Sequence, residues 1–124
     1  INIERINLWN LYYKNLKPLQ DSKKIELPVV PNGCIHNAHM FYIKTKDIKE
    51  RTKLIQYLKE NQILAVFHYI PLHTAPAGIK FGRFSGEDLY TTRESERLLR
   101  LPMYYGLRQN QIEYICSKIM RFYC

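Results

Sequence analysis

Residues 67 to 78, FHYIPLHTAPAG, bring two histidines, a tyrosine, two prolines and a glycine into one short stretch. Side chains of these types can hold a metal, pass protons, or hydrogen-bond a polar ligand. His68 and His73 are five residues apart, which on a helix would set them about 140° from one another, and Pro71 breaks the helix in any case. They do not form the zinc pair of an HExxH helix. On an extended segment they could meet His36 or His39, yet no carboxylate or cysteine stands close in sequence to complete a tetrahedral set. No GxSxG elbow supplies a nucleophile, and no GxGxxG or GxxxxGK[ST] loop supplies a phosphate cradle. Neither a catalytic centre nor a metal site is therefore expected within this chain. Two readings of the loop remain: side chains on a proline-stiffened rim that bind a sugar or phosphate, or partly buried residues with no role beyond structure.

The elements that must position this loop follow from periodicity. Ile6, Trp9, Tyr13 and Leu16 recur at steps of three and four, predicting a helix from residue 2 to about 16 that stops before Pro18. Leu8, Leu11 and Tyr12 widen its apolar arc, so this helix is expected to touch something beyond its own core. LPVVPNGC at 27 to 34 reads as an extended connector and turn. HMFYIKT at 39 to 45 reads as a strand with His39, Phe41 and Ile43 on one face and Met40, Tyr42 and Lys44 on the other. Asp47, with Glu50 three residues on, predicts a capped helix to about Asn61 buried through Ile48, Leu54, Ile55 and Leu58. ILAVFHY at 63 to 69 is a second strand ended by Pro71. Residues 70 to 90 form a long ordered loop, the kind that often carries function. Thr91 and Glu94 predict a capping box for a helix through Arg100, LPMY at 101 to 104 a third strand, and Ile112, Ile115, Cys116, Ile119 and Tyr123 a closing helix. This order describes an α/β (α+β) sandwich, a short three-stranded sheet covered by helices.

Composition limits the alternatives. The 124 residues are enough for one core, and 46% hydrophobic with 24% charged residues argues against disorder. No apolar run approaches the roughly 18 residues of a membrane span, and no signal peptide opens the chain, so no membrane partner and a cytoplasmic location are expected. The chain begins at Ile1 rather than methionine, which leaves room for an upstream part. Cys34, Cys116 and Cys124 form no CxxC pair and are expected as free thiols. A net charge of +8 points to an anionic partner. Acids interrupt the basic residues, as Asp47 and Glu50 do in KTKDIKERTK, which favours a solvated helix face over a nucleic-acid patch.

Taken together, HNAHMFYIK (36 to 44), AVFHYIPLH (65 to 73), PAG (76 to 78), GED (86 to 88) and YTTRESERLLRLPMY (90 to 104) resemble the C-terminal segment of the DegT/DnrJ/EryC1/StrS sugar-nucleotide aminotransferases, along essentially the whole chain. The resemblance implies the small C-terminal domain, residues 1 to 124, of a fold type I enzyme that is a homodimer when complete. Such an enzyme uses pyridoxal 5'-phosphate (PLP) to move an amino group from glutamate to a dTDP-4-keto-6-deoxyhexose for lipopolysaccharide, O-antigen or enterobacterial common antigen synthesis. It further implies that the cofactor lysine lies on a large domain upstream, that no lysine here replaces it, and that the fragment is inactive alone. Tyr69 and His73 are then expected at the substrate, with His39 supporting them from the adjoining strand. The first helix would pack on the large domain. Arg108 departs from the Ser or Thr that caps the last helix in many relatives. The alternative from a different class is a small basic module that binds nucleotide or nucleic acid without catalysis.

Overall fold

The computed structural model describes all residues, Ile1 to Cys124. Five helices and three strands appear in the order α1 (Asn2–Asp21), β1 (Phe41–Lys44), α2 (Ile48–Glu60), β2 (Val66–Phe67), α3 (Pro76–Phe81), α4 (Thr91–Arg97), β3 (Leu98–Leu101) and α5 (Gln109–Tyr123), with a single 3₁₀ turn at Leu72–Thr74 before α3. The sheet order is β1-β3-β2 and both pairings are antiparallel. It is the small α+β architecture expected from the pattern.

Register explains how the sheet divides its faces. Phe41 lies opposite Leu101 and Ile43 opposite Leu99, so these four buried side chains form one apolar face. On that face lie α1, α5 and α2, with α5 packed against both other helices. Tyr12 and Trp9 of α1 meet the ring of Phe41 at 5.0 and 5.2 Å between centroids. The Tyr12 hydroxyl donates to the Pro102 carbonyl at 2.8 Å, tying α1 to the exit of β3. On the other face Tyr42, Lys44, Val66, Leu98 and Arg100 are only half-buried.

Several local expectations are corrected. α1 does not stop before Pro18 but runs through it to Asp21, because Leu19 continues the stripe of Tyr12 and Leu16 into the core and its burial outweighs the backbone hydrogen bond that proline cannot make. The excess apolar surface of α1 is mostly taken up inside the chain. Leu8, Trp9 and Tyr12 are buried and Leu11 and Tyr13 pack on the core, leaving Ile1 and Ile3 as its exposed large apolar residues. The second strand shrinks from the predicted 63–69 to Val66–Phe67.

The third strand is Leu98–Leu101 rather than 101–104, and α4 ends at Arg97 rather than Arg100. Alternating burial of Leu99 and Leu101 demands a two-residue period, and Pro102 ends the ladder for want of an N–H. Nor is there a Thr91–Glu94 capping box: Tyr90 is the N-cap, without a side-chain bond. Asp88 instead accepts from the Thr92 backbone N–H at 3.2 Å and from its hydroxyl. Glu94 is drawn into an ion-pair network by Lys44 at 2.7 Å, Arg93 at 2.9 Å and Arg97 at 3.4 Å. Asp47 does cap α2, accepting from Glu50 N–H at 2.9 Å. At α5 the Gln111 side chain accepts from the Arg108 backbone N–H at 2.9 Å, so the start is held without a capping Ser or Thr.

Candidate functional site

The segment from Phe67 to Tyr90 leaves β2, makes the 3₁₀ turn and α3, and returns to the start of α4. Local chemistry fixes its shape. Pro71 precedes the turn and Pro76 occupies the first turn of α3, where a missing N–H costs nothing. The Thr74 hydroxyl donates to the Pro71 carbonyl at 2.9 Å. Gly78 sits where a Cβ would lie 1.7 Å from the Leu72 carbonyl oxygen, so only glycine lets α3 close on the 3₁₀ turn.

His73 is the joint of the loop. Its Nε2 lies 3.0 Å from Asp88 Oδ2, and the Phe84 ring packs on it at 4.5 Å between centroids. Thr92 hydrogen bonds, together with His73, hold the Asp88 carboxyl below the usual carboxylate range. Residues 73 and 88 are thereby joined into a closed loop. Tyr69 is anchored through its backbone, whose carbonyl accepts from the Ser95 hydroxyl at 2.9 Å. Its phenol side chain is left free, with the residue 75% exposed and its ring against His68 at 4.7 Å.

Beneath the loop lies a cavity of about 330 Å³ whose walls include Arg51, Phe67, Pro71, Thr92 and Ser95. Arg51 donates to the Ser95 carbonyl at 2.8 Å and stacks over Phe67 at 5.4 Å, and burial pulls its guanidinium below its ordinary value. Sequence reasoning left Arg51 on the solvated face of α2. The signal that could have found it is its place one turn from the Asp47 cap, pointing back toward α4. Ser95, too, was passed over as an ordinary helix residue.

Of the three residues expected at a substrate, Tyr69 and His73 share the loop. His39 does not join them. It sits at the entry to β1 with its Nδ1 3.1 Å from Asn37 Oδ1, and lines a separate cavity with Met40, Leu64, Val66 and Arg100 that includes neither Tyr69 nor His73. No three His, Cys, Asp or Glu side chains gather into a metal set.

None of the lysines is buried. Lys17 pairs with Asp21, Lys44 with Glu94 and Glu26, and Lys118 lies over the Tyr114 ring at 5.2 Å. The lysines therefore make no pocket for PLP, and no chemical step through that cofactor is derived from this chain. A groove of about 820 Å³ carries Lys23, Lys24, Lys44, Lys46 and Arg97, but Glu26 and Glu50 share it, and Glu26 pairs with both Lys44 and Arg97. No helix is long and apolar enough to cross a membrane.

Sheet, helices and loop together define a small α+β fold. Residues 1–120 match the DegT/DnrJ/EryC1/StrS aminotransferase family, and the chain belongs to that family. It is 30% identical over 99 residues to a "pleiotropic regulatory protein" of Geobacillus stearothermophilus, covering 79% of this chain and 27% of that one. It is 33% identical over 98 residues to the dTDP-3-amino-3,4,6-trideoxy-alpha-D-glucose transaminase of Micromonospora megalomicea subsp. nigra, covering 77% and 25%. The fold superposes on S. venezuelae DesV, solved in complex with a ketimine intermediate, with a TM-score of 0.86 at 24% identity, covering 98% of this chain and 31% of DesV. The chain thus spans about a quarter of the length of the curated relatives it matches.

Proposed function

We propose that residues 1–124 are the C-terminal small domain of a PLP-dependent sugar-nucleotide aminotransferase, and that the domain encloses the substrate of a cofactor domain lying outside this chain. The complete enzyme would be a homodimer in the cytoplasm that takes an amino group from glutamate and delivers it to a dTDP-4-keto-6-deoxyhexose. The form of the HNAHMFYIK and FHYIPLH blocks favours the transaminase that makes dTDP-4-amino-4,6-dideoxygalactose, for lipopolysaccharide, O-antigen or enterobacterial common antigen. PLP would supply the electron sink for amino transfer. The residues of this chain would bind, orient and exclude water.

One observation carries the reading: the loop is internally braced yet uncovered. Phe67, Tyr69, Ile70, Leu72, Ile79, Phe81, Phe84, Leu89 and Tyr90 are all exposed along it. A soluble domain rarely leaves so many large apolar side chains on one stretch unless another surface meets them. In this reading Tyr69 presents its free phenol and ring to the nucleotide sugar, while His73, committed to Asp88, sets the height of the rim instead of reaching far into the site. The supporting role expected of His39 would have to be exercised from outside the loop.

Reductive trapping tests the division of labour. Treated with PLP and borohydride, the isolated chain should show scattered substoichiometric labelling of exposed lysines. Stoichiometric labelling of one lysine would place a cofactor site within this chain and overturn the reading.

A further inference from the structure

Sheet register places an arginine at the centre of the half-buried outer face. Tyr42 and Val66 are the direct partners of Arg100 on β1 and β2. Lys44 pairs with Leu98 in the next row, and continuing the alternation past Phe67 brings His68 to that row as well. Beyond the ladder, Met40, Pro102 and Leu64 line a cavity together with Arg100. The acids that reach this face, Glu26 opposite Lys44 and Glu94, are paired with Lys44, Arg93 and Arg97, and none forms an ion pair with Arg100.

Arg100 takes part in none of the ion pairs of the chain, and its Nε is buried with no hydrogen-bond partner. His68 Nδ1 is likewise buried and unpartnered. A buried guanidinium N–H without an acceptor is costly, because desolvation removes water bonds that nothing replaces. Arg100 also lines the cavity of about 200 Å³ that contains His39, and its other walls are mostly apolar: Met40, Leu64, Val66, Leu101, Pro102 and Met103.

From this geometry we infer that the outer sheet face holds a binding site for a small oxyanion, a carboxylate or a phosphate, with Arg100 as its fork. A guanidinium matches both anions by paired N–H donors, and the surrounding Met, Leu, Val and Pro side chains strengthen the attraction by keeping water low. The site is separate from the Phe67–Tyr90 loop and does not depend on the transaminase reading.

The test is anion titration of the full chain, in a buffer free of carboxylate and phosphate, followed by NMR of the Arg100 Nε–Hε signal. Acetate and inorganic phosphate are separate arms, with sodium chloride matched throughout. Saturation with a midpoint of roughly 10 mM or tighter is expected for at least one of them. The arm that saturates at lower concentration identifies the anion class. Arg100→Gln should weaken the shifts of neighbouring backbone amides by about tenfold or more, whereas Lys24→Gln, at an exposed lysine that does not line the Arg100 cavity, should leave them unchanged. Shifts that merely follow ionic strength, or that are equally lost in Lys24→Gln, would overturn the inference. Because the first readout uses the unmutated chain, an unfolded Arg100→Gln variant leaves the test intact.

Discussion

Replacing Tyr12 by phenylalanine probes the join between the first helix and the sheet that supports every other feature. Tyr12 is fully buried, its ring stacks on Phe41 at 5.0 Å, and its hydroxyl donates to the Pro102 carbonyl across ninety residues of sequence. Burial raises the phenol well above its ordinary pKa, so the neutral donor is the form the fold selects. The phenylalanine keeps the stacking and loses one hydrogen bond, whose net worth is about 1 kcal/mol. Pro102 is half-buried, so water can partly replace the lost donor and the cost should fall at about 0.5–1 kcal/mol. For a chain of 124 residues the melting entropy converts that to a Tm drop of roughly 2–4 °C. Tyr12→Ala removes the ring as well and should cost about 3–5 kcal/mol. Urea and thermal unfolding followed by circular dichroism read both variants. A Tyr12→Phe protein at least as stable as the parent would refute the hydrogen bond, and a Tyr12→Ala cost below about 1.5 kcal/mol would refute the packing of α1 on the sheet.

Three further outcomes are expected. Gly78→Ala must push the 3₁₀ turn away from α3, at about 1–3 kcal/mol if the clash is absorbed by the domain, or as rapid proteolysis within the Phe67–Tyr90 loop if it is absorbed locally; limited proteolysis with mass spectrometry detects the second, and an unchanged digest with unchanged stability would count against the Leu72 contact. Burial pushes the Cys116 thiol up from 9.0 to about 12, so it favours the fold below pH 9 and loses that contribution as pH rises from there. The stability gap between parent and Cys116→Ala should therefore narrow above pH 9, by at most about 1.4 kcal/mol per pH unit, and a constant gap would contradict the assignment. Lys44, then Arg93 and Arg97, hold the Glu94 carboxyl below its ordinary 4.5. Its stabilisation is present above pH 4.5 and is lost as pH falls through the folded value, so Glu94→Gln should flatten the acid limb of an unfolding profile; an unaltered limb would exclude Glu94 as a contributor.

The parts of the fold legible in the sequence were those with one dominant period. Asp47 and the Leu54–Leu58 stripe marked α2, and Ile112 through Ile119 marked α5, because capping and burial agree there. The misplaced boundaries lie where a local rule met packing. Proline rules end α1 before Pro18, but Leu19 is worth more in the core than the lost bond. ERLLRLP at 96 to 102 reads equally as helix or strand, and only pairing of Leu99 with Ile43 and Phe67 decides for β3. The site was half legible. FHYIPLH marked the loop, yet the partner that holds His73 comes from Asp88, and the anchor of Tyr69 from Ser95, at distances in sequence that no local pattern encodes. His39 was expected, from the resemblance, to support the site from the adjoining strand, and it lines a cavity with Arg100 that includes neither Tyr69 nor His73.

The central claim is that this domain completes an aminotransferase site it cannot form by itself. The most direct measurement joins the chain to a PLP-binding aminotransferase domain of the same family and follows conversion of dTDP-4-keto-6-deoxyglucose to the 4-amino sugar, with glutamate as donor, by mass spectrometry. Product is expected only when both parts are present, and Tyr69→Ala should lower kcat/KM at least about tenfold while the isolated chain keeps its fold. Equal turnover by the cofactor domain without this chain, or indifference of kcat/KM to Tyr69, would contradict the account.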